Sequence, residues 1–307
     1  MNARPEISIV VPVFNGASLL RTLFSGIQDV MASLKRQFEV LFVDDGSTDE
    51  SWRLILELKN EHGDLVRGVR LACNSGQQAA TYCGLLQARG DWVVTLDDDL
   101  QPHPREIVKL WDCAQSGHAD VIYGVYATLR HGLLHRMGTR LFRMLLRRVS
   151  PTYPDGSSFR LIRGEVLQSL PANPGPWIFV DPVLAWRTPE VTTVVVEHGR
   201  REAGRSAYSL PAFMALAWTV LIAYSTLPLR LMTGIGILSA TISFGLGLYY
   251  LVKKLTVGAQ VGFSAMIVTT TFSSGLILLS LGILGEYIRR IHSMGMGEPA
   301  FTIKSVV

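Results

Sequence analysis

Three consecutive aspartates at the end of a short apolar run constrain this chain more than any other feature. Asp97, Asp98 and Asp99 follow the mostly apolar residues 92–96 and precede Leu-Gln-Pro. Crowded carboxylates repel one another unless a cation lies between them. An oxygen-rich cluster suits a hard divalent metal, which usually binds together with phosphate oxygens. The pattern therefore predicts a metal and phosphate site where a strand leaves a sheet.

Two earlier apolar runs end in the same way. Residues 7–14 lead to Asn15, and residues 38–43 lead to Asp44 and Asp45, with Gly-Ser-Thr-Asp following. Each run is short, rich in β-branched and aromatic residues, and followed by turn residues and a helix-like segment, which indicates βαβ units. Ligands of parallel sheets bind at the carboxyl ends of the strands. We therefore expect all three polar clusters at one edge of an α/β sheet.

The same clusters resemble the nucleotide-sugar motifs of family 2 glycosyltransferases. The resemblance covers nearly the whole chain and continues through residues 74–77, 155–160, 201–204 and 285–288. The subgroup that the chain resembles is the polyprenyl-phosphate glycosyltransferases, which include dolichol-phosphate mannose synthase and the bacterial undecaprenyl-phosphate glucosyl and aminoarabinose transferases. The resemblance implies a GT-A type Rossmann-like domain. It also implies metal-dependent, inverting transfer of one sugar from a nucleotide sugar to a polyprenyl phosphate.

The resemblance assigns roles to individual residues. The metal, Mn²⁺ or Mg²⁺, would be held by Asp99, Gln101 and Asp97. The residues expected to bind the nucleotide sugar are Pro12, Phe14, Asn15, Asp44, Asp45, Gln77, Asp97, Asp98 and Arg201. The residues expected to be catalytic are Asp155, Asp97 and Arg201, and the acceptor phosphate would contact Arg136 first and Arg130 or Arg140 second.

The chemistry of the reaction fits these residue types. The diphosphate leaving group gains negative charge, so stabilising that charge is the main catalytic task. The planar fork of Arg201 can bind two phosphate oxygens at once. A phosphate monoester with a second pKa of about 6 is already mostly dianionic, so Asp155 either orients the acceptor or removes a residual proton. Uracil and guanine both offer a ring N–H to Asp45, so this residue does not separate UDP from GDP.

The chain departs from the subgroup at a few positions. Ala207 replaces the lysine of the usual Ser-Lys-Tyr, and Tyr126 stands where relatives commonly carry the arginine of Gly-x-Arg. Ser158 stands where many relatives have an acid or a cysteine. One positive charge near the membrane and one near the acceptor are therefore missing, and Arg205 is a nearby replacement for the first.

Long uncharged stretches in the second half predict a membrane hairpin. About 20 apolar residues cross a bilayer, and residues 231–252 and 255–285 carry no charge. The alternative is a pair of buried core helices. The predicted domains are a cytoplasmic catalytic domain at 1–205, an interfacial amphipathic helix at 206–229, two transmembrane helices within 230–285 (about 231–252 and 261–284), and a cytoplasmic tail at 286–307.

Residues 206–229 are also uncharged, so they could form a third span. Charge favours two spans, because Arg230, Arg289 and Arg290 then stay on the catalytic side and only Lys253 and Lys254 lie opposite, as the positive-inside tendency requires. Two prolines and several hydroxyl residues in 206–229 fit a helix in the interface. The near-alternating pattern of the tail predicts an edge strand or a contact with a neighbouring protomer.

Cellular location follows from the same features. The amino terminus passes directly into a strand, with no charged-then-apolar signal ahead of it. Three cysteines without a Cys-x-x-Cys pair argue against a disulfide framework. We therefore expect a multi-pass protein of the bacterial inner membrane whose catalytic domain is cytoplasmic and whose chains form a dimer or tetramer.

Positive charge is concentrated between the aspartate motif and Asp155. The net charge is +4, and six arginines of this region cluster within residues 130–148: Arg130, Arg136, Arg140, Arg143, Arg147 and Arg148. No recognised nucleic-acid module surrounds them, so no nucleic-acid partner is expected. Beside a membrane anchor they favour anionic membrane lipids and a lipid phosphate over a plain solvated helix face.

Two alternatives stay open, and a third, a processive polysaccharide synthase, is disfavoured. The donor and acceptor could be GDP-mannose and another polyprenyl phosphate instead of a UDP-sugar and undecaprenyl phosphate. A processive polysaccharide synthase normally carries Gln-x-x-Arg-Trp, which this chain lacks. A non-catalytic membrane scaffold would use the hairpin for assembly, and residues 258–262 do form a Gly-x-x-x-Gly pattern. The sequence leaves the identity of the sugar open.

Overall fold

The computed structural model describes residues 4–126, 158–197, 227–257 and 262–307. The chain divides into two compact units. The first unit comprises residues 1–207 and 298–307, and the second comprises residues 208–297. Most of the predicted interfacial helix at 206–229 lies outside the described residues, and the predicted domain limits stay predictions.

The first unit is built on one mixed sheet. Within the described residues it has eight strands: β1 (Ile7–Val13), β2 (Phe38–Asp44), β3 (Val66–Leu71), β4 (Trp92–Thr95), β5 (Val121–Tyr126), β6 (Arg160–Arg163), β7 (Val191–Val196) and β8 (Ile303–Val306). Their order across the sheet is β7-β5-β6-β4-β1-β2-β3-β8.

The centre of the sheet is parallel, as the apolar runs predict. Strand β1 pairs in parallel with β2 and with β4, and β2 pairs in parallel with β3. All seven residues of β1 are buried, because a parallel strand covered on both faces has no solvent side. The carboxyl ends of β1, β2 and β4 therefore lie at one edge of the sheet.

Helices cover both faces of this sheet. The helices of the first unit in the described ranges are α1 (Leu20–Leu34), α2 (Ser51–His62), α3 (Gln77–Gln87), α4 (Ile107–Ser116), α5 (Gly164–Gln168) and α6 (Val180–Ala185), with 3₁₀ turns at Gly63–Leu65 and Pro104–Glu106. Val11 packs in one core cluster with Ile27 of α1, whereas its neighbour Val10 packs in a second cluster with Tyr82 of α3. Alternate strand residues point to opposite faces, so the sheet lies between two apolar layers.

Strand β6 interrupts the parallel order. It pairs antiparallel with both β4 and β5, with Thr95 opposite Arg160. Strand β5 is therefore parallel to β4, and Tyr126, its last residue, reaches the same edge of the sheet as the aspartate motif. The pairing also brings the residues just before β6 beside the end of β4.

The tail returns to the sheet as β8. It pairs antiparallel with β3, with Val69 opposite Val306 and Arg70 opposite Ser305, and a register shift follows Arg70. Backbone bonds between Gly68 and Val307, 2.9 and 3.1 Å long, extend the pairing. The predicted edge strand is therefore confirmed, and it joins the sheet of its own chain.

The second unit contains two long helices, α7 (Leu227–Val257) and α8 (Phe263–Gly295). Each holds an apolar segment long enough to cross a membrane, at Pro228–Tyr249 and Phe272–Gly295, and neither segment is buried. Large apolar side chains such as Phe244 and Phe272 are 77% and 70% exposed. Exposure of this kind suits lipid contact better than a soluble core.

Candidate active site

A cleft of about 310 Å³ opens at the carboxyl edge of the central strands. Residues at or after the carboxyl ends of β1, β2, β3 and β4 line it. The lining residues are Pro12, Val13, Phe14, Asp45, Asn74, Gly76, Gln77, Asp97, Asp98 and Asp99. The structure thus brings together seven of the predicted nucleotide-sugar or metal residues: Pro12, Phe14, Asp45, Gln77, Asp97, Asp98 and Asp99.

Asp45 is clamped by the loop that leads into α3. Its Oδ1 accepts a bond from the Ser75 N–H at 2.7 Å, and its Oδ2 accepts one from the Gly76 N–H at 2.9 Å. Burial raises the pKa of Asp45, and the two N–H donors oppose that rise. Each carboxylate oxygen offers about two acceptor sites. Asp45 can therefore still accept a bond from a ligand in the cleft.

Asp44 has a different environment from its neighbour. Its side chain is fully buried: Oδ1 accepts from the Ser47 N–H at 3.1 Å, and Oδ2 lies 3.2 Å from Arg70 Nε. The Arg70 guanidinium lies 5.6 Å from the ring centre of Trp52. Asp44 is not among the residues that line the cleft. The geometry gives it a bracing role and does not support its predicted contact with the nucleotide sugar.

Asn15 ties the loop after β1 to the loop after β2. Its backbone N–H donates to Ser47 Oγ at 3.0 Å, and its Oδ1 accepts from the Thr48 N–H at 2.9 Å. Its backbone has a φ of 54°, which asparagine tolerates better than most residues. These bonds fix the backbone next to Phe14, which is 48% exposed and lines the cleft. Asn15 is not among the lining residues.

Asp97 is held by side chains from two distant segments. Its Oδ1 accepts from Gln77 Nε2 at 2.7 Å, and its Oδ2 accepts from the Ser158 hydroxyl. Burial raises the pKa of Asp97, and the nearby Asp99 charge raises it further. The Ser158 and Gln77 bonds and the Arg160 charge act in the opposite direction.

Asp98 supports the loop after β1. Its Oδ2 accepts from the Phe14 N–H at 3.4 Å, and burial raises the pKa of Asp98 to about 6. A Cβ at Gly16 would lie only 2.4 Å from the same oxygen. A side chain at position 16 would therefore displace Asp98, so the loop and the aspartate motif are fitted to one another.

Asp99 ends the motif in a tight turn. Its Oδ1 accepts from the Gln101 N–H at 3.0 Å, which is the local geometry of an Asx turn. Leu100 between them has a φ of 59°, a strained backbone for a leucine that is typical of functional sites. The turn places Asp99 and Gln101 shortly after the carboxyl end of β4.

Arg160 forms a buried ion pair close to this cluster. It is 1% exposed, and its Nε lies 2.6 Å from Oδ1 of Asp181, which is 6% exposed. Its guanidinium lies 5.9 Å from the ring centre of Tyr123. The positive charge reaches Asp97 and opposes the rise that burial causes in the pKa of that carboxyl. The buried Arg160–Asp181 ion pair is therefore part of the electrostatic environment of Asp97.

Sequence reasoning missed two residues of this site. By resemblance, Ser158 and Tyr126 are only departures from the subgroup, yet Ser158 binds Asp97. Burial raises the pKa of Tyr126, and the negative charges of Asp97 and Asp99 raise it further. The Tyr126 hydroxyl is therefore close enough to the aspartate motif to feel its charge. Residues 121–126 are a fourth apolar run, and that pattern was the available signal for Tyr126.

The remaining predicted site residues lie outside the described residues. They are Asp155, Arg201, Arg130, Arg136 and Arg140. Their predicted catalytic, donor and acceptor roles stay predictions. The segments that carry Asp155 and Arg130 adjoin Ser158 and Tyr126, both of which reach the aspartate motif.

The residues of the cleft fit a hard divalent cation whose remaining coordination positions are filled by the substrate. In the described part of the chain, no three His, Cys, Asp or Glu side chains form a closed metal site. Mg²⁺ typically uses one or two carboxylates and fills its other positions with substrate phosphates and water. Asp97 and Asp99 line the open cleft, and Gln101 follows them in the same turn. Their oxygens would be the protein ligands of such a cation.

A family model and individual relatives place this chain among the glycosyltransferases. The model of "Glycosyl transferase family 2" matches residues 8–167. The undecaprenyl-phosphate 4-deoxy-4-formamido-L-arabinose transferase of Pseudomonas paraeruginosa (strain DSM 24068 / PA7) is 33% identical over 307 residues, which is 98% of this chain and 90% of that protein. The protein of the same name from Klebsiella pneumoniae (strain 342) is 30% identical, over 98% of this chain and 94% of that protein.

Solved structures share the fold. Glucosyl-3-phosphoglycerate synthase from Mycobacterium tuberculosis, in complex with Mn²⁺, UDP and phosphoglyceric acid, matches with a TM-score of 0.52 and 20% identity, over 71% of this chain and 78% of that one. Its complex with Mn²⁺, UDP and glucosyl-3-phosphoglycerate matches with a TM-score of 0.50 and 19% identity, over 71% and 79%. This chain therefore belongs to glycosyl transferase family 2, as a GT-A-like glycosyltransferase of the polyprenyl-phosphate subgroup.

Proposed function

We propose that this glycosyltransferase moves one sugar from a nucleotide sugar, preferably a UDP-sugar, to a membrane polyprenyl phosphate, preferably undecaprenyl phosphate. The observation that carries the proposal is the pairing of two sites in one cleft. The clamped Asp45 lines the same cleft as Asp97 and Asp99. A base site and a diphosphate site in one cleft suit a nucleoside diphosphate donor.

Different residues of the cleft would bind different parts of the donor. Phe14 offers an exposed ring face for the base, and Asp45 accepts from a ring N–H. Asp97 and Asp99, with Gln101, would hold Mn²⁺ or Mg²⁺. The cation supplies positive charge that stabilises the diphosphate as it leaves. The M. tuberculosis synthase of the same fold was solved with Mn²⁺ and UDP, which supports this choice of cofactor and nucleotide.

The acceptor is proposed from chemistry and from the relatives. The relatives from Pseudomonas and Klebsiella are named as undecaprenyl-phosphate transferases and match along almost this whole chain. A phosphate monoester is a nucleophile at neutral pH without a strong base. We propose that it approaches the sugar from the side of Tyr126 and Ser158. Arg136, with Arg130 or Arg140, would contact the acceptor phosphate, and Asp155 would orient the acceptor or remove its residual proton. Arg201 would bind the donor diphosphate.

A donor screen tests the proposed reaction. The full chain in lipid nanodiscs is incubated with undecaprenyl phosphate, Mn²⁺ and one donor at a time. The molecular mass of the lipid product is then measured by mass spectrometry. The donors are UDP-glucose, UDP-N-acetylglucosamine, UDP-4-deoxy-4-formamido-L-arabinose and GDP-mannose. We expect one sugar added from a UDP donor. Product from GDP-mannose alone would favour the mannosyltransferase alternative, and nucleotide binding without turnover would favour the scaffold.

We propose two membrane crossings, at α7 and α8. Both sequence segments of the first unit contribute strands to one sheet, because β8 pairs with β3. A chain that leaves this unit and returns to it must cross the bilayer an even number of times. Two crossings fit the two apolar helices, whereas a third span at 206–229 would separate β8 from β3.

Cysteine labelling tests this topology. Thr256, near the end of α7, and Lys304, in β8, have exposed side chains, so each accepts a cysteine in a variant without native cysteines. Intact cells are treated with a membrane-impermeant thiol reagent, with Arg53→Cys in the catalytic unit as the matched control. We expect labelling at position 256 alone. Labelling at position 304 without labelling at 53 would overturn the two-span topology, whereas labelling at both 304 and 53 would place the catalytic unit outside.

A further inference from the structure

Both oxygens of Asp97 are occupied by neutral side chains that reach it from different parts of the fold. Gln77 is the first residue of α3, and Ser158 lies just before β6. Gln77 donates to Oδ1 at 2.7 Å, and Ser158 donates to Oδ2. Two donors on the two oxygens fix the plane of a carboxylate, because rotation about its last bond would break both bonds at once.

Ser158 is itself held in place. The Thr95 hydroxyl donates to the backbone carbonyl of Ser158, and Thr95 is the last residue of β4, two positions before Asp97. The β4–β6 pairing continues from this point with Thr95 opposite Arg160. Ser158 is therefore positioned by the same strand that carries the aspartate motif.

Gln77 is held by the loop that clamps Asp45. Ser75 and Gly76 donate their backbone N–H groups to the two oxygens of Asp45 at 2.7 and 2.9 Å. The next residue, Gln77, then binds Asp97. Three consecutive residues thus connect the two carboxylates that the proposed function assigns to the base and to the diphosphate end of the donor.

The neutral character of both donors suits a cation site. Asp97 lies beside two other aspartates, so an unrestrained carboxylate would turn away from them or attract a positive side chain. A lysine or arginine in the place of Gln77 would satisfy Asp97 but would compete with a divalent metal for its charge. An amide and a hydroxyl orient Asp97 and leave its negative charge and its remaining acceptor sites available.

We propose that Gln77 and Ser158 are positioning residues that fix the orientation of the Asp97 carboxylate, and that residues 75–77 set the spacing between the base site at Asp45 and the diphosphate site at Asp97. The proposal rests on the proposed function, because it needs a nucleoside diphosphate and a cation in the cleft. Neither residue needs to touch the reacting atoms. Loss of either should weaken binding of the charged end of the donor more than binding of its nucleoside.

Matched variants of two neighbouring glutamines test the role of Gln77. Gln77→Glu replaces the donor by an acceptor of the same shape, which repels Asp97. Gln78→Glu adds the same charge one residue away, where Oε1 accepts from the Val180 N–H at 3.0 Å, a bond that a carboxylate keeps. Ser158→Ala removes the second donor, and Ser158→Thr restores a hydroxyl.

The measurements are the affinity of the full chain for uridine and for UDP with Mn²⁺ by calorimetry, with Mn²⁺ binding followed by electron paramagnetic resonance. We expect Gln77→Glu and Ser158→Ala to weaken binding of UDP with Mn²⁺ roughly 10- to 100-fold. Uridine affinity should change less than about twofold. Gln78→Glu should resemble wild type, and Ser158→Thr should recover most of the loss.

The outcomes separate this inference from the proposed function. Equal effects of Gln77→Glu and Gln78→Glu would overturn the positioning role, as would parallel losses of uridine and UDP binding. A wild-type protein that binds UDP no better with Mn²⁺ than without it would contradict the proposed metal-dependent function itself, and the positioning role with it. Tight wild-type binding combined with unaffected variants would contradict only the positioning role.

Discussion

Replacing Asp99 by alanine is expected to lower sugar transfer at least about 100-fold. One carboxylate ligand to the divalent cation is lost, and the negative charge that develops on the diphosphate is then poorly stabilised. Turnover is measured over a range of Mn²⁺ and Mg²⁺ concentrations, with and without chelator. We expect the variant to need more metal for any residual rate.

The turn around Asp99 requires a control, because its Oδ1 also accepts from the Gln101 N–H at 3.0 Å. Asp99→Asn keeps an acceptor for this bond and removes only the charge. If the metal role is right, Asp99→Asn should be nearly as inactive as Asp99→Ala. Asp112→Ala removes an exposed aspartate from α4 and should leave activity unchanged. Full wild-type activity in chelator would contradict the metal assignment.

Replacing Arg160 by methionine is expected to lower the free energy of unfolding of the first unit by about 3–5 kcal/mol. The substitution leaves Asp181 buried without its charged partner, which costs far more than the ion pair contributes. Arg160 is 1% exposed and Asp181 is 6% exposed, so water cannot easily replace the lost contact. The change should also impair catalysis, because the Arg160 charge reaches Asp97.

Cys83 provides a way to measure this effect in the full chain. Its side chain is fully buried against the sheet, and burial raises the pKa of the thiol to about 12. In a Cys73→Ser/Cys113→Ser background, the rate of Cys83 labelling in urea reports opening of the core. Arg160→Met should label at lower urea, and Arg160→Met/Asp181→Leu should recover part of the loss.

An exposed ion pair gives the matched comparison. Arg53 pairs with Glu50 at 2.8 Å, but its side chain is 67% exposed. Exposed pairs of this kind contribute little, since water and salt screen them. Arg53→Met should therefore leave the urea dependence of Cys83 labelling near that of the parent. Equal shifts for Arg53→Met and Arg160→Met would contradict the role of the buried pair.

The parallel centre of the fold and its active edge could be predicted from local patterns. Residues 7–13, 38–44 and 92–95 form strands, and each was visible as a short apolar run with a polar end. Such runs predict buried strands because burial on both faces leaves no polar alternation. The apolar stretches that became α7 and α8 were equally clear, since length and lack of charge are properties of the segment alone.

The roles of adjacent polar residues could not be predicted from their order. Asp44 and Asp45 are neighbours in the sequence, yet the first is fully buried against Arg70 and the second lines the cleft. Side chains of successive strand residues point in opposite directions. Which direction reaches a cleft depends on the elements packed on each face, and a motif does not carry that information.

The sequence by itself determined the βα units, the acidic edge of the sheet and the two long apolar helices, because each follows from the composition and period of a continuous segment. Only the tertiary structure decided that Gln77 and Ser158 meet at Asp97, and that the tail returns as β8 to pair with β3. These contacts join residues far apart in the chain. Their partners are selected by strand order and packing, which no local pattern specifies.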